Sequence, residues 1–196
     1  MATRREINSQ HESAVIDAAL RAHNETFGTG FSVESRPDPP DAIVVDGNQR
    51  TWIEHTDVFY PEWAEDITSY AASDKAHKPM RSGPHMDMDN QVADALVKAV
   101  LKKFENRSYQ PVLDEFGPGI LVVGIESPWF DEETLQAIDE KWAQLGRIDL
   151  TPIFRWVYLG FRVGGVNNAF FWEPSNNRNR PIKKVPLFNS SLTTEW

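Results

Sequence analysis

No cysteine occurs among the 196 residues, so the chain can build neither a disulfide framework nor a thiolate metal site. Long apolar runs are missing as well; none approaches the roughly 20 residues needed to cross a bilayer. The opening residues, Met1-Ala2-Thr3-Arg4-Arg5-Glu6, carry no apolar stretch of the kind that marks a secretory signal. A cytoplasmic protein with no membrane partner is expected. Positive charge is in deficit: 20 Lys and Arg stand against 29 Asp and Glu, a net charge of −9. That weighs against a surface that grips phosphates all over, although local patches and bound ions still set the field at a site. Gly-rich phosphate loops, internal repeats, heptad arrays and Ser/His constellations for nucleophilic catalysis are absent too.

What remains is ordinary for a globular domain, with 40% hydrophobic and 25% charged residues. A first helix is expected over 6–24, with Val15, Ile16, Ala18, Ala19 and Ala22 on its apolar side. Gly28-Thr29-Gly30 stops it, and a strand begins at Phe31. A second helix runs from Asp89 to about Glu105, and Ile120 to Ile125 reads as a strand buried on both faces. Asp131-Glu132-Glu133 opens a third helix, to about Leu145, with the negative first turn that the dipole favours. Phe154 to Phe161 reads as a further strand. The order implies an α/β fold with a central mixed sheet flanked by helices. Residues 1–170 are read as one domain, with an irregular insertion at about 60–88 and a polar basic tail over 171–196.

Between the first strand and the second helix lies the most informative stretch. Ala42 to Val45 is a short apolar run, and Asp46-Gly47-Asn48 is a strong hairpin signal. The second arm then carries Trp52, Glu54, Thr56 and Val58 on one face and Ile53, His55 and Asp57 on the other. With Asp46 facing Gln49, Asp41 falls opposite Glu54. Facing side chains there have Cβ atoms only about 4.5–5.5 Å apart. Two carboxylates so placed repel, and a divalent cation with oxygen ligands is the simplest compensation. Removal of Glu54 is therefore expected to raise stability in metal-free buffer.

Pro40-Asp41, twelve residues, then Glu54-His55-Thr56 resembles the PD-(D/E)XK, or restriction-endonuclease-like, nuclease superfamily. That core places an acid at one hairpin strand and an acid-x-Lys on the next. The resemblance implies a restriction-endonuclease-like core. It also implies that Asp41, Glu54 and the main-chain carbonyl of His55 bind Mg²⁺ or Mn²⁺, with an acid of the first helix, here Glu12, reaching the ion. The activity implied is hydrolysis of phosphodiester bonds in nucleic acid, DNA in the first place, with Asp41, Glu54 and Thr56 as the catalytic set. Association of two chains is left open. Thr56 departs from the pattern, standing where the lysine belongs. Another cation replaces that lysine, or the Thr56 hydroxyl positions the water, or catalysis is lost. The alternatives are then a non-catalytic nuclease-like binding module or a hydrolase of small phosphate esters.

Other candidates carry less. Asp38 falls before the paired region. On the second helix Lys98, Lys102 and Gln91 point outward, while Lys103 falls inside the apolar arc and is expected to snorkel past the core at the helix end. His55, His77 and His85 fit no compact zinc pattern. Trp129, Trp142, Trp156 and Trp172 are expected to pack in the core, whereas Trp52, beside Glu54, is the one placed to reach a ligand. Two basic clusters, Lys75/His77/Lys78/Arg81 and Arg178/Arg180/Lys183/Lys184, are surface loops or phosphate contacts.

Overall fold

The computed structural model describes residues 4–60, 62–63, 66, 76–83, 85–127, 130–163, 166–172 and 183–185, with side chains from residue 11 onward except at 161–171 and 183–185. Helix α1 (Arg4–Phe27) precedes three strands, β1 (Ser32–Ser35), β2 (Ala42–Asp46) and β3 (Gln49–Phe59). Helix α2 (Met88–Phe104), a 3-10 turn at Arg107–Tyr109 and the short α3 (Gln110–Phe116) lead to β4 (Gly119–Glu126). Helix α4 (Glu132–Gln144) then leads to β5 (Phe154–Val163), β6 (Val166–Trp172) and β7 (Lys183–Val185). The seven strands among the described residues form one mixed sheet, in sequence order, so the α/β architecture is the expected one. Among the described residues no helix is long and apolar enough to cross a membrane.

The centre of the sheet is parallel, β3 to β4 to β5, and both margins are antiparallel. Two parallel connections running in the same direction along a sheet put their helices on the same side when both take the favoured hand. Helices α2 and α4 accordingly share one face, where Val92, Leu96, Val100, Ile138 and Trp142 pack against Trp52, Val58, Leu121 and Val123. The opposite face is left to α1, whose Ile16, Ala19, Leu20 and Ala22 cover Val44, Ile53, Ile120 and Val122. Strand β4 therefore lies between two apolar layers and is buried along its length up to Ile125.

Local chemistry fixes the helix starts. Asp131 caps α4, its carboxylate accepting from the amides of Glu133 at 2.9 Å and Thr134 at 3.2 Å, with Thr134 returning a bond to the Asp131 amide. The Thr134 hydroxyl also donates to Asp89 in the first turn of α2, which ties the two helix starts together. Lys102 and Lys103 sit in the last turn of α2, where the dipole favours cations. Gly119 is required by packing: a Cβ there would stand 2.4 Å from the Trp52 ring.

Two strands lie beyond the expected pattern. Asn167 and Asn168 interrupt the apolar signal of β6, and β7, Lys183-Lys184-Val185, is too short to register as a strand. β7 falls within the stretch expected to be a tail; most of that stretch is outside the described residues. Within the expected insertion, residues 62–63 and 66 are helical, whereas 76–83 and 85–87 contain no helix or strand.

His23, 2% exposed, lies on the buried side of α1 among Phe27, Phe31, Trp156 and Tyr158, with its Nδ1 2.9 Å from the Tyr158 hydroxyl. Burial disfavours its charged form and lowers its pKa to about 4. The unfolded chain binds this proton more readily, so the contribution to stability is complete above about pH 6.5 and lost as pH falls toward 4. Chemical denaturation should show wild type losing about 2 kcal/mol more than His23→Gln between pH 7.5 and pH 5. Parallel losses in the two proteins would refute the assignment.

Candidate metal and phosphoryl-transfer site

The hairpin register places the acids. Asp46 pairs with Gln49 and Ala42 with Ile53, so the next position, Asp41, lies opposite Glu54, as the turn signal implies. Strand β2 begins at Ala42, and beyond that point the free margin of β3 meets the Asp41 side chain instead of a backbone partner. Asp41 Oδ2 accepts a hydrogen bond from the His55 amide at 2.6 Å. In an extended strand the N–H and C=O of one residue point the same way, so the His55 carbonyl looks out over the same margin.

Glu54 is 4% exposed, on the α2 face of the sheet between Trp52 and Val58. Its Oε1 accepts from Lys103 Nζ. Its Oε2 and the neighbouring Tyr109 hydroxyl are both buried without a well-formed hydrogen bond among the described residues, although the hydroxyl stands close enough to Glu54 to interact with it. Burial and then the Glu54 charge push the Tyr109 phenol up, which keeps it protonated. Asp41 is also raised, first by burial and second by the Glu54 charge, while the His55 amide and Lys103 pull it back. The repulsion inferred between the two acids is thus present, and Lys103 offsets part of it.

Glu12, on α1, is 36% exposed at its side chain and 3.9 Å from Arg36. Partial burial raises its carboxyl and the Asp41 charge adds to that, so Glu12 borders the site without closing on it. Thr56 is partly exposed, one step along the Glu54 face. Asp38 is exposed.

Three expectations change. Lys103 does not snorkel outward: its side chain is 24% exposed and turns onto Glu54, because α2 ends directly over the centre of β3. Trp52 cannot reach a ligand; it is fully buried, donates from Nε1 to the Gly117 carbonyl at 2.8 Å, and packs on Tyr109 and Phe154. Loss of Glu54 no longer promises extra stability, because it would strand Lys103. Of the first basic cluster, His77 bonds Asp66 at 2.7 Å and Arg81 bonds Glu62 at 2.9 Å, so both side chains already have an acidic partner within the chain. In the second cluster, Arg178 and Arg180 lie outside the described residues.

A second group escaped the sequence reading. On the α1 face, His11 from α1 meets His55 and Asp57 from β3. The three ligand atoms lie within 4.8 Å of one another. His55 Nε2 is 2.9 Å and His11 Nε2 3.3 Å from the same oxygen, Asp57 Oδ1. Burial opposes the Asp57 charge, but the hydrogen bonds from His11 and His55 outweigh it and hold this carboxyl well below its ordinary range. The Asp57 bond raises His11 in turn. The His55/Asp57 alternation was visible in sequence; their meeting with His11, far away in the chain, was not.

The Lys103–Glu54 pair is mostly buried, so breaking one side leaves an uncompensated charge, at a cost of about 2 kcal/mol once partial exposure is allowed for. Lys103→Met should therefore lower stability in metal-free urea denaturation by about that amount. The double variant Lys103→Met/Glu54→Gln should recover most of it; a neutral single variant would show that the pair contributes nothing. No family model matches this sequence, and neither the curated proteins nor the solved structures offer a significant match to the chain or its fold.

Proposed function

We propose that the chain is a metal-dependent phosphodiester hydrolase acting on nucleic acid, with Asp41, Glu54 and the His55 carbonyl as cation ligands and Lys103 in the role of the missing motif lysine. One observation carries this reading: Glu54 is buried with one oxygen on an ammonium and the other, near the Tyr109 hydroxyl, without a well-formed hydrogen bond, beside the half-buried carboxylate of Asp41. An unpartnered buried carboxylate oxygen costs free energy unless a ligand completes it. The donor set is all oxygen, which suits Mg²⁺ or Mn²⁺.

When bound, such an ion polarises the phosphate and lowers the pKa of a coordinated water. The chain's own groups do the rest. Lys103 uses one N–H on Glu54 and keeps two more donors for the attacking oxygen and the phosphate charge. Thr56 offers its hydroxyl to the same water. Asp41 holds the margin of β3 in place through the His55 amide, which fixes the carbonyl beside it. In hydrolysis the water would give up a proton to solvent as its oxygen bonded to phosphorus, the P–O3′ bond would break, and the leaving oxygen would take a proton from solvent at the exposed side of Lys103.

A second reading is favoured by the same lysine. Lys103 already compensates Glu54, so a domain that binds without catalysis needs no ion there.

Thermal melts with Mg²⁺ and Mn²⁺, together with cleavage assays on single- and double-stranded DNA, RNA and a small phosphate diester, separate the readings. Wild type should gain thermal stability with the ion and cleave polymer in preference to the small ester. Asp41→Asn should lose both responses. Lys103→Ala should keep the cation response while cleavage falls about 10²–10³-fold. A wild-type protein with neither a cation response nor cleavage leaves only the binding module.

A further inference from the structure

We infer that His11, His55 and Asp57, with Glu126, form a second cation site on the α1 face of the sheet, taking a borderline divalent transition ion such as Zn²⁺. Two elements supply the clustered ligands, His11 from α1 and His55 and Asp57 from β3, and Glu126 at the end of β4 borders them beside His11. Both imidazole Nε2 atoms converge on Asp57 Oδ1, at 2.9 and 3.3 Å, and Glu126 Oε1 lies 3.7 Å from His11 Nε2. Zn²⁺ binds imidazole nitrogen and carboxylate oxygen at about 2.0–2.2 Å, which sets tetrahedral ligand atoms roughly 3.3–3.5 Å apart. Those three separations lie on either side of that value, and the His11, His55 and Asp57 ligand atoms all fall within 4.8 Å of one another. A small outward shift of the carboxylate would open the centre of the group, with the ion taking the place of the protons now shared between rings and acid.

The neighbouring strand leaves space for the group. Gly124 lies beside Asp57, where a Cβ would stand 2.3 Å from Asp57 Oδ1 and 3.3 Å from His55 Nε2. Any other residue there would displace the carboxylate from the histidines. Access is also available, because the side chains of His11 and Glu126 are 38% and 32% exposed while His55 is 7% exposed. Two nitrogens and a carboxylate, with Glu126 at the edge, make a donor set distinct from the all-oxygen set on the other face of β3, and they favour zinc-like ions over magnesium. Bound there, the ion cross-links α1 to β3 and β4 and stabilises the docking of that helix. The site is independent of the hydrolase reading, since it uses the His55 ring and not its carbonyl.

The test uses the full chain, stripped with chelator, and follows Zn²⁺ by calorimetry and thermal melting. Wild type should bind one equivalent with a rise in melting temperature. Co²⁺ in its place should give the intense visible bands of a low-coordinate ion with nitrogen ligands. His11→Gln, a partly exposed change that spares the fold, should weaken Zn²⁺ binding at least about tenfold and leave the Mg²⁺ response unchanged. Asp41→Asn should leave Zn²⁺ binding intact. The site is ruled out by the absence of Zn²⁺ heat in wild type, by undiminished binding in His11→Gln, or by a Co²⁺ spectrum no different from the aqua ion.

Discussion

The pairing of β2 with β3 governs where the charged groups at the centre of the molecule fall. Asp46 against Gln49 fixes the count, and β2 then ends at Ala42, opposite Ile53. Because strand side chains alternate, a slip of one residue would turn Glu54 toward α1 and bring His55 and Asp57 under α2. That is excluded by the apolar residues between them, since Trp52 and Val58 fit the α2 layer and Ile53 the α1 layer. Register, core and charge placement are therefore one decision made several times over, which is how a sequence specifies a single arrangement.

Polar and apolar demands are met differently on the two faces. Under α2, a carboxylate is buried against an ammonium from the helix end, with the Tyr109 hydroxyl close beside it. Under α1, a carboxylate is bonded by two rings. Neither group is a surface ion pair of the kind that contributes little; each sits close to the apolar layer that holds its strand in place, so its geometry is set by packing as well as by charge.

Much of this was legible in the residues. The Asp46-Gly47-Asn48 turn announced the hairpin, the alternation after it announced the two faces, and the apolar run at Ile120–Ile125 announced a central strand. The capped start of α4 was visible in Asp131 and the acids after it. Tertiary choices were less visible. The angle of Lys103 on its helix was right, but its partner depends on how far α2 extends over β3, and local spacing does not encode that distance. His11 and Asp57 are 46 residues apart, and only the docking of α1 brings them together. Trp52 was on the expected face, yet the bare backbone of Gly119 lets its ring sink into the core. β7 was missed because Lys183-Lys184-Val185 is too short and too weakly apolar to show a strand pattern.

His55 straddles the sheet. Its peptide group faces the margin shared with Asp41, while its ring hangs over the layer beneath α1. Stripping the ring would spare the peptide's orientation, whereas disturbing Asp41 would take away the acceptor that holds the peptide in line. Whatever each face does, the two are separable by surgery on one amino acid, yet mechanically they share the same few atoms of backbone.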